Sequence, residues 1–228
     1  MDAQKDTAIP QLTSTPVADK VIALTFDDGP NTSTTTEILD VLEKHGAVAS
    51  FFLVGKLIDQ ETAVVVKRAY EMGCEINNHS WDHEDMTPLQ ACEMLAQLED
   101  TSRRIEQITG ESARFFRPPY IAVNDLLFET IPLPFICGYG VEDFKETVTA
   151  DDRYHGVLQK AKDGGIILLH DKAGNAMTVE AVDRLIPALR EQGYRLVTVS
   201  ALFAAKKIVP DASAQILYSY AEQTTMYG

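Results

Sequence analysis

The sequence predicts an α/β fold, a distorted (β/α) barrel of about seven parallel strands. Three observations lead there. Short apolar runs alternate with helical patterns along nearly the whole chain. Such alternation implies right-handed crossovers and a mainly parallel sheet. The 228 residues are an ordinary length for one barrel domain with a sizeable core. The alternation by itself also permits an open sheet.

"KVIALTF" (20–26) reads as the first buried strand. A helix from about Ser33 to His45 follows, with cap-forming Asn and Thr residues before apolar Ile38, Leu39, Val41 and Leu42. "VASFFLV" (48–54) is the next strand, and a helix through Lys67 to Met72 stops at Gly73. "CEINNHS" (74–80) is a short strand leading into a loop. After Thr87-Pro88, with Pro suited to a first turn, a long amphipathic helix runs to about Thr109 and ends at Gly110. "ARFFRPPY" (113–120) is a fourth strand, stopped by two prolines. "PFICGYG" (134–140), "GGIILLHD" (164–171) and "YRLVTVS" (194–200) complete the series, with helices near 150–163 and 177–192. The expected organisation is a linker or extension over 1–19, a catalytic domain over 20–204 and a C-terminal extension over 205–228.

Composition narrows the functional classes. An apolar fraction of 45% with 24% charged residues is that of a soluble globular protein. A formal charge of −14 argues against nucleic acid and against anionic membrane surfaces as partners. No apolar stretch approaches the roughly 20 residues that span a bilayer. Cys74, Cys92 and Cys137 have no metal-ligand spacing and read as buried small apolar side chains. Met1 is followed by a polar segment, so no signal peptide is visible; the expectation is a secreted protein whose signal has been removed.

The polar residues gather at strand ends. Asp27 and Asp28 follow the first strand, His79 and His83 the third, Arg117 closes the fourth, Glu142 and Asp143 follow the fifth, and His170 and Asp171 end the sixth. A parallel barrel brings all of these to one face, where active sites sit. His79 and His83 are four apart, and with Asp28 they supply two nitrogens and one oxygen for a divalent ion while leaving positions open. Asp27 is then left beside the ion, placed to take a proton from water. Arg117 is expected to hold Asp27 charged through a bidentate pair. His170 is placed to protonate a leaving group, with Asp143 fixing its tautomer. Each residue has an ordinary alternative: a solvated turn, a surface loop pair, a salt bridge, a core histidine, a helix cap. Their shared location has none.

"TFDDGP", "HSWDH", "RPPY", "EDF" and "LLHD", in that order, resemble the polysaccharide deacetylase family, carbohydrate esterase family 4, over residues 20 to 204. The resemblance implies a distorted (β/α) barrel that removes acetyl groups from carbohydrates with a divalent metal. It implies Asp27 as general base, Asp28, His79 and His83 as ligands, Arg117 as support for the base and His170 as general acid. It also implies that the Tyr120 backbone N–H serves the oxyanion site and that Leu168 lines the acetyl-methyl pocket. Two departures stand out. Gly140 occupies the place where the fourth motif usually carries an extra aspartate, and Phe144 the place of a tryptophan, leaving an apolar wall without an indole donor. Ile121 follows "RPPY" where glycine is common. "GYGVEDF" looks closer to the acetylxylan esterase branch, so acetylated xylan is the expected substrate, with chitooligosaccharide or peptidoglycan glycan as the alternative. A non-catalytic carbohydrate-binding module and a small-molecule amidohydrolase are the readings from other classes. Zinc is the expected ion, and cobalt, nickel or manganese fit the same ligands. A neighbouring carbohydrate-active module is an expected partner.

Overall fold

Strand β1 (Lys20–Asp27) runs through the middle of the sheet in the computed structural model, which describes residues 20–226. One edge of β1 pairs with β6 (Gly165–His170). The other is shared, with β7 (Tyr194–Leu196) on its first residues and β2 (Ser50–Leu53) on its last. β3 (Glu75–Asn78) lies outside β2, and β5 (Tyr139–Gly140) outside β6. Phe116 forms parallel bridges to Asn78 on one side and Phe135 on the other, linking β3 to β4 (Phe135–Ile136). β4 pairs with β8 (Leu217–Tyr218), and a bridge from Tyr220 to Gly165 returns the chain to β6. The sheet therefore closes on itself, as a distorted barrel whose named strands all pair in parallel.

The period of two along each strand decides what faces the interior. Val21 and Ala23 pack with Phe52, Phe115, Ile136, Ile166 and Val197 on one face. Ile22, Leu24 and Phe26 meet Ile38, Leu39, Leu42, Leu185 and Ile186 of the outer helices on the other. Continuing the inner stripe past Ala23 gives Thr25 and then Asp27; continuing past Ile166 gives Leu168 and then His170. The register sets Thr25 opposite Leu168 and Asp27 opposite His170. Two apolar ladders thus end in an acid and an imidazole at the same level of the barrel mouth.

The outer layer is α1 (Thr34–His45), α2 (Gln60–Glu71), α3 (Ala91–Thr109), α4 (Asp125–Thr130), α5 (Ala150–Lys160), α6 (Ala176–Glu191) and α7 (Val199–Lys206). Asp59 caps α2 by accepting from the backbone N–H groups of Glu61 and Thr62, a contact whose loss costs about 1 kcal/mol. α1 ends at Gly46 in the left-handed region, φ 53°, which a side chain would strain.

Several expectations need correction. The strand over 113–120 is reduced to the single bridging residue Phe116, because Pro118 and Pro119 remove the donors that a ladder needs. The strand over 134–140 is two short ones, broken at Gly138 with φ 80°. β7 stops at Leu196, and Thr198 then caps α7 by accepting from Ala201 N. Cys92 is exposed, whereas Cys74 is buried. Beyond residue 204, where the sequence pattern ends, β8 still contributes barrel wall. The expected linker over 1–19 lies outside the described residues. No helix among the described residues is long and apolar enough to cross a membrane.

Candidate active site

Asp27 is the last residue of β1 and is buried. Arg117, itself fully buried, donates from Nη1 to Asp27 Oδ1 at 2.5 Å. Its Nη2 donates to Thr25 Oγ1 at 2.9 Å and its Nε to Ile136 O at 3.3 Å, while the guanidinium lies 4.0 Å from the Phe52 ring centroid. The expected bidentate pair is therefore absent: one prong of the fork holds the acid and the other holds the strand beneath it. Asp27 Oδ2 stays unclaimed by Arg117 and sits 3.6 Å from His79 Nε2.

Asp28 turns away from β1 through a left-handed backbone, φ 74°. Its Oδ1 is 3.2 Å from His83 Nε2 and 3.6 Å from His79 Nε2, is buried, and has no hydrogen-bond donor. His79 Nδ1 lies 2.6 Å from Arg117 O; a carbonyl only accepts, so Nδ1 carries the hydrogen and Nε2 keeps its lone pair. One ligand atom each from Asp28, His79 and His83 falls within 4.8 Å of the others. Burial opposes ionisation of Asp28, but His79, His170 and His83 outweigh it and lower its pKa to about 2. Burial pushes the His83 imidazole below its ordinary value and so toward the neutral form. An ionised carboxylate with an orphaned oxygen and two imidazole lone pairs is a donor set that fits a divalent cation.

Across the mouth, His170 Nδ1 bonds to Asp143 Oδ1 at 2.7 Å, and its backbone N–H donates to Asp143 Oδ2 at 2.8 Å. Thr178 Oγ1 donates to the same Oδ2, and Arg153, buried behind it, donates to both Asn175 and Thr178. Burial pushes the His170 pKa down, yet the hydrogen bond and charge of Asp143, with Asp27 and Asp28 beyond, raise it above the usual imidazole value. Asp143 thus fixes both ring and backbone of His170.

Between these two groups opens a cavity of about 450 Å³ walled by Pro118, Tyr120, Ile121, Phe144, Leu168 and Lys172. Tyr120 and Phe144 are exposed large aromatics on its rim, and the Phe144 ring meets His170 edge-on at 5.4 Å. Tyr120 and Ile121 both have positive φ, as do Ser80 and His83 on the facing loop. Glu142 does not join the site; it pairs outward with Lys145.

Asp171 is the residue whose part the sequence did not reveal. It is fully buried, accepts from Thr35 Oγ1 at 2.5 Å, and donates its backbone N–H to Asp27 O at 2.9 Å, while its own carbonyl accepts from Asn31 Nδ2. It presses so closely on Gly29 that a Cβ there would lie 2.3 Å from its Oδ2. Asp171, Thr35 and Asn31 therefore clamp the loop that carries Asp27 and Asp28. Thr25, Thr178 and Arg153 were likewise unmarked in the sequence; a buried threonine in an apolar strand was the one signal open to it.

A family model for polysaccharide deacetylase matches residues 14–131. The chain is 47% identical over 197 residues to a bifunctional xylanase/deacetylase of Pseudobutyrivibrio xylanivorans, covering 86% of this chain and 33% of that protein. It is 41% identical over 191 residues to a peptidoglycan-N-acetylmuramic acid deacetylase of Bacillus subtilis, covering 82% and 40%. The chain thus spans well under half the length of either relative. Among solved structures, a family 4 acetyl xylan esterase from Clostridium thermocellum, in complex with a cobalt ion, matches with a TM-score of 0.87 at 36% identity, over 90% of this chain and 100% of that one.

Proposed function

The chain belongs to the polysaccharide deacetylase family, and we propose that it hydrolyses O-acetyl esters of xylan with one divalent cation, for which zinc is the ion its donors suit best. One observation carries the reading: the Asp28, His79 and His83 donor set, the Arg117-held Asp27 and the Asp143-held His170 all border one cavity. Its support from relatives is the bifunctional xylanase/deacetylase of Pseudobutyrivibrio xylanivorans and the acetyl xylan esterase structure.

Asp28, His79 and His83 would hold the cation. When bound, such an ion supplies Lewis acidity, acidifying water and polarising a carbonyl oxygen. Asp27 takes the proton of the attacking water at Oδ2, the oxygen that Arg117 leaves open, while Arg117 holds Oδ1 in place. The Tyr120 backbone N–H donates to the developing oxyanion. Leu168 receives the acetyl methyl and, with Phe144, excludes water from it. His170 gives its Nε2 proton to the leaving sugar oxygen, since Nδ1 is committed to Asp143. An alkoxide leaves more readily than an amide anion, so a fourth motif with Gly140 and Phe144 suits esters.

The reading includes secretion and a neighbouring carbohydrate-active module, with the catalytic domain running from Lys20 through β8. A second reading, N-deacetylation of peptidoglycan glycan, is favoured by the identity to the Bacillus subtilis enzyme. Acetate release from acetylated xylan beside acetylated chitooligosaccharide and peptidoglycan, with chelator and with zinc, cobalt, nickel or manganese restored, tests both. The first reading expects xylan to be preferred and chelator to abolish release. Comparable release from xylan and the N-acetylated glycans would overturn the ester preference.

A further inference from the structure

Lys172 lies two residues past His170 and lines the same cavity. It is half-buried, and its Nζ donates to Phe144 O at 3.0 Å. That carbonyl carries no net charge, so it anchors the ammonium without neutralising it, and among the described residues Lys172 enters no ion pair. Of the cavity's acids, Asp27 is paired with Arg117, and Asp28 faces His79 and His83, with which it would share the divalent cation. Lys145, whose Nζ lies 5.7 Å from the Phe144 ring centroid, is taken by Glu142. The result is an uncompensated cation beside an exposed aromatic face, at the mouth of the site of a chain with a formal charge of −14. A protein of that charge repels anionic chains at long range, so a lone lysine at the mouth reads charge locally.

We propose that Lys172 is a specificity-determining residue that binds a carboxylate carried by a sugar next to the acetylated one, with that sugar's ring resting on Phe144. The assignment rests on the deacetylase reading and names the class of glycan it takes: acidic, rather than neutral, acetylated polymer. Two sources share this chemistry, the uronate side group of an acidic xylan and the lactyl ether carboxylate of a muramic-acid glycan.

The test compares binding and turnover in the metal-loaded protein. Affinities are measured calorimetrically for a uronate-bearing xylo-oligosaccharide, a neutral one of the same length, and a muramic-acid glycan beside its N-acetylglucosamine counterpart. For the matching source, the wild type is expected to favour the acidic ligand by about two- to fivefold at low salt, the scale of an exposed ion pair. The preference is expected to fade between about 0.01 and 1 M salt. Lys172→Gln is expected to abolish it and Lys172→Glu to reverse it. Because the readout is a ratio, a general change in affinity cancels. The pair of ligands that responds names the source. A ratio equal in wild type and Lys172→Gln for both pairs, or one unmoved by salt, overturns the assignment. Acetate release is followed in the same preparations. Release with no effect of Lys172 sinks this inference alone, whereas charge-dependent binding without any release sinks the deacetylase reading and leaves Lys172 standing.

Discussion

Arg117 and Asp27 form an ion pair at 2.5 Å with both side chains almost wholly out of water, and a single prong of the guanidinium makes it. The second prong is spent on Thr25, whose hydroxyl in turn donates to Ile167 O at 2.6 Å. The pair thereby locks β1 to β6 below the site as well as fixing the position of the acid.

Asp27→Asn keeps the shape of the side chain and removes its basicity. Turnover is expected to fall by about 10²- to 10⁴-fold, the usual worth of a positioned base. Divalent-ion affinity, read by calorimetry, is expected to stay close to that of the wild type, because the proposed ligands, Asp28, His79 and His83, do not include Asp27. Retention of most activity would remove Asp27 from the role of base.

Arg117→Met deletes the buried cation and leaves Asp27 without a partner. Stability is expected to drop by about 3–5 kcal/mol, as for other broken buried pairs. Urea unfolding measures it. A loss well under 1 kcal/mol would mean that water reaches Asp27 more freely than its burial indicates.

The His170 imidazole titrates above its ordinary value of 6.5 because Asp143 overcomes the opposing effect of burial. In the proposed mechanism the protonated ring is the acid, so activity should decline as pH rises through the raised value. Asp143→Asn removes the charge, and the alkaline limb of the kcat profile is expected to move to lower pH. The sign for stability is the same: the contribution of this pair is full below 6.5 and disappears as pH rises through the folded-state value. An alkaline limb that stays in place would separate Asp143 from the acid.

Burial, then the charges of Asp28 and Asp27 against the opposing hydrogen bond from Thr35, raises the Asp171 pKa from 3.8 to about 7. Between those values the folded metal-free chain holds a proton that the unfolded chain has lost, so this group makes stability fall as pH rises from 3.8 to about 7. Asp171→Asn is expected to flatten that slope. Denaturation of the metal-free protein at several pH values across the interval reads it, and an unchanged slope would place the titration elsewhere.

Gly29→Ala puts a methyl group 2.3 Å from Asp171 Oδ2, so the clamp on the Asp27–Asp28 loop must open. A loss of about 1–3 kcal/mol, typical of overpacking, is expected together with weaker divalent-ion binding. A variant with wild-type ion affinity would show that the loop keeps its shape without the clamp.

The barrel was legible because parallel strands are buried on both faces and read as continuous apolar runs, and β1, β2 and β6 are of that kind. β4, β5 and β8 have two residues each, too short for any periodicity to register. Phe116 holds its place through single bridges that no local pattern foreshadows. In the site, acids and imidazoles at strand ends were conspicuous against apolar neighbours. Thr25, Thr178, Asn175 and Arg153 were not, since a threonine or arginine bound to a buried carboxylate is spelled the same as one facing solvent. The division of Arg117 between Asp27 and Thr25 depends on three strands meeting, which only the folded chain specifies.

Among the described residues, most of the non-glycine residues with left-handed backbone cluster at one pole. Asp28, Ser80, His83, Tyr120, Ile121 and Glu142 all belong to loops after the strands' C-terminal ends, while Lys207 and Gln215 are the other non-glycine cases among the described residues. Such backbone is disfavoured for side chains of these kinds, by about 1 kcal/mol or more apiece. Relaxing any one rim position to glycine should make the fold harder to melt and its mouth slacker. Thermal hardiness and a well-set rim therefore compete in this chain, and selection for heat resistance alone would be expected to erode these loops first.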